Sequence, residues 1–274
     1  MKLRFTSDQQ HPADGIAERR FTLGDIPGIL WTPTPKPAPA PAPAPAAPTP
    51  EAAPAAPAAP APTGTPTPLI GLGLPPLGLD KMYPRLRARA QRAAADGFAS
   101  TTLELPGSGD RPRVPELDRA RTELRRVMQA GEPVGEEIVE ALVLPLVERA
   151  VPEWQAAFDA LLALPDIDGP VGYSGGVISI GIRLALVEPR IAAAGLFAGS
   201  LVPRVMVEEA RRITIPLHVL LQWDDEGNDR QASLDLFDAF GSKEKSLHAN
   251  MGGHTGVPQH AGEDAAGFFT RHLK

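Results

Sequence analysis

Residues 33–68 read PTPKPAPAPAPAPAAPTPEAAPAAPAAPAPTGTPTP. Proline lacks the N–H that helices and sheet ladders need, so this alternation supports neither. It predicts an extended, solvated, disordered Pro/Ala-rich segment of polyproline character that buries nothing. Every apolar contact of the fold must therefore come from its flanks. Before it, Ile26–Trp31 (IPGILW) reads as a strand, and after it Leu69–Leu74 (LIGLGL) reads as another. The segment is thus expected as a long insertion in a surface loop between two strands. Loop-closure entropy grows only with the logarithm of length, so an insertion there costs little stability. Residues 1–274 are then expected to form one domain interrupted at 33–68.

Beyond the insertion, helical and strand patterns alternate. Leu86–Asp96 is predicted as a helix ended by Gly97, Phe98–Leu105 as a strand, and Leu117–Ala130 as a helix. Gly135–Leu164 has helical spacing (Ile138, Leu142, Leu146, then Trp154, Phe158, Leu161), with interruptions expected near Pro145 and Pro152. Strands follow at Gly169–Tyr173, Ile191–Phe197, Pro216–Trp223 and Lys245–Ala249. Helices are expected at Gly175–Val187, Gln231–Phe240 and Ala261–Leu273. Strand and helix in turn predict an α/β fold of three layers, a mostly parallel sheet with helices on both faces. In such sheets chemistry gathers at the carboxyl ends of strands.

Charge and composition narrow the function. The formal net charge is -6, which gives no basic footprint for nucleic acid. The arginines that cluster, Arg85, Arg87, Arg89 and Arg92, then Arg119, Arg121, Arg125 and Arg126, read as solvated helix faces. There is no cysteine, so thiol nucleophiles, disulfides and thiolate metal sites are excluded. No histidine pair has zinc-ligand spacing with a supporting carboxylate, so neither a metal nor a cofactor is expected. The N-terminus shows no signal-peptide pattern and no run is apolar enough to span a membrane, so cytoplasmic residence is expected.

The stretch Asp168–Ser179, DGPVGYSGGVIS, places Ser174 between glycines, with a strand predicted before it and a helix after it. Gly172-Tyr173-Ser174-Gly175-Gly176 resembles the G-x-S-x-G nucleophile elbow of the α/β-hydrolase superfamily. The resemblance covers most of the chain outside the insertion, and is greatest to small serine esterases and dienelactone-hydrolase-like proteins. The Pro106-Gly-Ser-Gly109 loop and the helix and strand before it add to it. The dienelactone hydrolases use cysteine, which this chain lacks, so a serine esterase is the closer analogy. The resemblance implies a strained serine backbone, and a helix starting just after Ser174 whose N–H groups face a developing oxyanion.

It also implies the order serine, acid, histidine. An apolar strand runs into Asp224-Asp225-Glu226, where the acid of the family belongs; Asp225 is favoured over Asp224 by register. His254, in the glycine-rich MGGHTGVP, is the expected general base, with His260 its rival. The family pattern breaks at the oxyanion loop. Where relatives carry His-Gly, this chain has Leu72-Gly-Leu-Pro-Pro-Leu-Gly78, whose prolines have no N–H to give. Gly175 would supply one donor, and Leu74 or Leu77 a second. Gly175, Leu74 and Tyr173 are the expected oxyanion and binding residues. The expected reaction is cleavage of a carboxylic ester or lactone through an acyl-enzyme on Ser174. A non-catalytic scaffold with a degenerate oxyanion loop, and a peptidase or thioesterase on the same fold, are the alternatives. The expected partner is a small-molecule ester or lactone, with a homodimer left open. The segment 113–165 is expected to contribute a lid.

Overall fold

A computed structural model describes residues 1–11, 14–34 and 67–274. In chain order the elements are strands β1 (Leu3–His11), β2 (Ile16–Leu23), β3 (Ile26–Pro33) and β4 (Thr67–Gly73), helix α1 (Leu79–Ala95), β5 (Ala99–Leu103), α2 (Pro115–Gln129) and α3 (Glu136–Leu162). There follow β6 (Ile167–Gly175), α4 (Ile178–Val187), β7 (Ile191–Phe197), α5 (Arg204–Ala210), β8 (Leu217–Gln222), α6 (Arg230–Ala239), β9 (Lys245–Asn250) and α7 (Gln259–Leu273). The Pro/Ala-rich segment lies outside the described residues except at its rims, where Pro33 closes β3 and Thr67 opens β4.

The strands form one sheet in the order β1-β2-β3-β5-β4-β6-β7-β8-β9. The first pairings, β1 with β2, β2 with β3 and β3 with β5, are antiparallel; from β5 onward every pair is parallel. Helices α1 and α7 pack on one face, while α3 and α4 cover the other, with α2 and α5 beside them and α6 beside α5. The three layers are therefore as the alternation predicts. The chain runs from β4 outward to β5, then returns past β4 to β6. That reversal puts a topological switch point between β4 and β6, where connections leave on opposite faces and a crevice opens.

The central strands are buried on both faces and read as continuous apolar runs, as in β4, where Leu69, Ile70 and Leu72 are all buried. Beneath β6, Trp154 and Phe158 of α3 pack at 5.5 Å between centroids, and Trp154 meets Tyr173 edge-on at 5.6 Å. Edge-to-face aromatic pairs add about 0.5–1.5 kcal/mol beyond the area they bury. Arg111 clamps Glu153 of α3 with two bonds of 2.7 and 2.6 Å, and also donates to the Glu104 carbonyl at 2.9 Å. This ties the loop after β5 to α3.

Several expectations need correction. Strands β1 and β2 form a hairpin that periodicity alone does not reveal. Its outer strand LRFTSDQQH carries apolar side chains only at Leu3 and Phe5, as suits an edge exposed to water. His11 ends this strand. Helix α3 runs unbroken through Pro145 and Pro152. Its buried stripe, from Val139 to Leu161, supplies the packing that overrides the two lost N–H groups. Helix α1 starts seven residues earlier than its apolar spacing suggests, at Leu79, whose N–H donates to Glu104 Oε2 at 2.8 Å. Helix α5 was not foreseen; its seven residues are too few to show a period.

Candidate active site

Ser174 belongs to β6 as a ladder residue, opposite Leu72 of β4 and Gly195 of β7. Strand side chains alternate, so Tyr173 points to the α3 and α4 face, while Gly172 and Ser174 point to the α1 and α7 face. A methyl group added at Gly172 would meet Phe269 and Leu273 of α7, and one at Gly195 would lie 3.5 Å from Ser174 Oγ. Tyr173 is therefore a core residue and does not line the substrate side, contrary to expectation; burial pushes its phenol pKa up.

The backbone strain expected at the serine is also displaced. No non-glycine residue among those described has a positive φ; the left-handed conformations fall on Gly175 (φ 74°) and Gly176 (φ 76°). Helix α4 begins at Ile178, with Val177 as its N-cap, and not directly after Ser174. The strand simply runs further than the family elbow implies, and the turn follows on the two glycines. Gly176 is required for space as well. A Cβ there would lie 2.7 Å from the Gly73 Cα and carbonyl carbon, because the two turns are packed backbone to backbone.

Asp225 and His254, expected from the sequence as acid and base, lie just past the ends of β8 and β9. His254 Nδ1 stands 2.7 Å from Asp225 Oδ2, the carboxylate being 4% exposed and the imidazole 64%. Burial by itself would raise the Asp225 carboxyl pKa. Hydrogen bonds from His254, from Asn228 Nδ2 (2.6 Å) and from the Gly227 N–H (3.0 Å) outweigh it and hold the carboxyl low. Asn228 is fixed in turn, its Oδ1 accepting from Ser200 N at 3.0 Å. The histidine loop is sewn to β8 by Gln222 Nε2, which donates to the Gly253 carbonyl at 3.0 Å, and by Asp224 N, which donates to Gly252 O at 3.1 Å. Asp224 is exposed and makes no bond to His254; the N-cap of α6 is Asp229, whose carboxylate accepts from Ala232 N. His260 lies exposed in the first turn of α7.

Ser174 and His254 line one cavity of about 680 Å³ between α1 and α7, open toward the carboxyl ends of the strands. No hydrogen bond joins them. The hydroxyl instead accepts from Arg89 Nη2 at 3.0 Å, and the same nitrogen donates to the Ser174 carbonyl at 2.7 Å. Arg89 is partly buried in the cavity wall, and desolvation lowers its pKa to about 10, so it stays a cation at neutral pH. Arg85 and Arg92 line the same cavity. Arg85 is exposed, as expected of a solvated helix face, whereas Arg89 and Arg92 are only partly exposed. The spacing of the three, by four and three residues, carries the contrary signal, since it sets them on one stripe of α1.

The loop expected to supply oxyanion donors follows β4. Pro75 and Pro76 line the cavity, Leu74 is buried, and the Leu77 N–H is spent on the Pro75 carbonyl at 2.7 Å. Leu77 is thereby removed as a donor. The segment 113–165, expected to contribute a lid, forms α2 and α3; none of its residues lines this cavity. Its apolar stripe has been claimed by the sheet. Among the described residues no three His, Asp or Glu side chains group as a metal ion would need, and no helix is long and apolar enough to cross a membrane.

No protein-family model matches the chain, and no curated protein sequence matches it. Solved structures do. A cold-adapted esterase from an Arctic intertidal metagenomic library superposes with a TM-score of 0.68 at 24% identity, over 100% of both chains. The acetyl xylan esterase of Paenibacillus sp. R4 gives 0.64 at 14% identity, over 100% of this chain and 89% of its own. A dienelactone hydrolase from Anabaena variabilis gives 0.56 at 14%, over 95% of this chain and 100% of that one. The fold is that of the α/β hydrolases, of the kind seen in esterases and dienelactone hydrolases.

Proposed function

We propose that the protein is a serine hydrolase that cleaves carboxylic esters or lactones through an acyl-enzyme on Ser174, with His254 as general base and Asp225 as the orienting acid. One observation carries this reading: a buried, thrice-bonded carboxylate holds Nδ1 of an imidazole whose ring borders the same cavity as a strand-end hydroxyl. The carboxylate fixes the tautomer with the proton on Nδ1, which leaves Nε2 free to accept one. Serine is a weak nucleophile at neutral pH and needs such a base. His254 takes the Oγ proton as the Oγ–carbonyl bond forms, then returns it to the departing alcohol. Asp225 stabilises the imidazolium between the two transfers. Water, deprotonated by the same ring, releases the acid.

The imidazole must close on Oγ for this to happen. Its exposure and its place in a loop held chiefly by backbone bonds allow that movement. The esterases named above support the substrate class, since their chains share this fold over nearly its whole length. The test is a panel of p-nitrophenyl esters of graded acyl length, with fluorophosphonate labelling of folded protein. Wild type should hydrolyse at least the short esters and label at Ser174, and Ser174→Ala and His254→Ala should do neither. Unlabelled Ser174 with no turnover would sink the reading.

A second reading, a hydrolase fold used for binding without turnover, is favoured by one observation: the hydroxyl accepts from Arg89 and makes no bond to His254. Turnover that disappears with Ser174→Ala removes it.

A further inference from the structure

The cation at the hydroxyl has no use in the proton relay. Arg89 makes no ion pair with any carboxylate among the described residues, although its neighbour on α1, Arg87, pairs with Asp14. A partly buried cation with no counterion, facing a cavity, is placed to receive an anionic group there. The loop after β4, meanwhile, offers few N–H groups beyond that of Leu74. Two successive prolines follow Leu74, and the next N–H, of Leu77, is already bonded to Pro75 O. Developing charge and a cationic donor already bonded to Ser174 Oγ thus meet at one place.

Resting on the esterase reading above, we propose that Arg89 is a catalytic residue, its guanidinium being the charged donor that stabilises the oxyanion formed when Ser174 attacks an ester carbonyl. In that step the Oγ–C bond forms, the carbonyl π pair moves onto its oxygen, and the Oγ proton goes to His254. Arg89 keeps its own protons throughout. When the adduct collapses, the pair returns to re-form the carbonyl, the bond to the alcohol oxygen breaks, and that oxygen takes the proton from the imidazolium. A donor 3.0 Å from Oγ before attack is within reach of an oxygen on the carbon that Oγ joins. The bond of 2.7 Å to the Ser174 carbonyl anchors the guanidinium, so little reorganisation is needed. A charged N–H donor to an anionic oxygen is roughly twice as strong as a neutral pair, which offsets the N–H groups that Pro75 and Pro76 lack. The Pro75-Pro76 pair is then tolerable because its N–H groups are not required.

The test uses the full chain as wild type, Arg89→Met, Arg89→Gln and Ser174→Ala, with folding checked by circular dichroism. Two quantities are measured: kcat and KM on p-nitrophenyl acetate, a neutral ester, and the inhibition constant of phenylboronic acid, which forms an anionic tetrahedral adduct on serine. Arg89→Met is expected to lower kcat by about 10²–10³ with KM within a few-fold. Boronate affinity should fall in parallel. If Arg89→Met does not fold, Arg89→Gln, neutral and polar, is judged by the same split. Unchanged or raised kcat overturns the proposal, since Arg89 would then merely hold the hydroxyl away from the imidazole. A fall in kcat with boronate affinity intact overturns it too, as a purely structural effect. Activity that survives Ser174→Ala, or is missing in wild type, fails the serine reading and takes this inference with it. Activity that needs Ser174 but ignores Arg89 fails this inference alone.

Discussion

Asp225 and His254 lie 29 residues apart in the chain, at the ends of different strands, and meet at 2.7 Å with the carboxylate almost fully covered. Asp224, its neighbour in sequence, faces water. Asp225→Asn keeps the volume but presents an amide that can favour the wrong tautomer. It is expected to lower kcat on a short ester by about 10⁴, as loss of a triad acid does elsewhere. Asp224→Asn should stay within a few-fold. Steady-state kinetics of the two variants decide between them, and the reverse ranking would make Asp224 the acid.

Gly176→Ala tests the backbone contact behind Ser174. The new methyl group would demand a left-handed alanine and would press on Gly73 at 2.7 Å. The conformation costs about 1–2 kcal/mol, and displacement of a packed backbone adds to it. Gly131→Ala is the control, since that glycine has a similar φ of 67° with nothing within 4 Å of the added carbon. Urea unfolding should show a greater loss for Gly176→Ala than for Gly131→Ala. Equal losses would mean that the contact with Gly73 relaxes freely.

His218, buried in β8 against His248 and Phe268, has its pKa lowered to about 4 by burial first and by His248 second. The unfolded chain would titrate this ring near 6.5. Between those values the unfolded state binds the extra proton and the folded state does not, so stability falls as pH falls. The shift corresponds to on the order of 3 kcal/mol, complete below pH 4 and absent above 6.5. In His218→Phe the decline in stability from pH 6.5 to 4 should be shallower, as measured by denaturant titrations at stepped pH. An identical slope would show that this ring does not drive it.

Pro152 lies exposed within α3, where it leaves the Glu148 carbonyl without its helical donor. Alanine would gain about 3 kcal/mol in helix propensity and give back about 1 kcal/mol through a more flexible unfolded chain. Pro152→Ala is therefore expected to raise the thermal midpoint by several degrees. A lower midpoint would mean that the helix needs a bend there to follow the sheet.

The parallel half of the sheet was legible because its strands are bounded by turn chemistry and separated by helices with a clear period. The hairpin at the N-terminus was not, since Leu3 and Phe5 are too few to mark an alternating face. Ser174, Asp225 and His254 could be picked out as candidates from motif and order, as their neighbours are glycines and strand ends that sequence displays. Arg89 could not be named that way. Its meaning depends on α7 packing opposite α1, a contact between segments more than 160 positions apart. Asn228 carries no signal of its own in the sequence, whereas its amide is one of three donors to the Asp225 carboxylate.

The strand position that carries Ser174 is braced on both sides, by Leu72 and by Gly195. A hydroxyl mounted in that way cannot be re-aimed by remodelling a loop. On the esterase reading, freedom to accept a bulkier or differently shaped acyl group then resides chiefly in the helices and loops that wall the cavity, α1 and α7 above all. Libraries that diversify α1 and α7 while sparing the sheet are the direct route to altered selectivity in this scaffold.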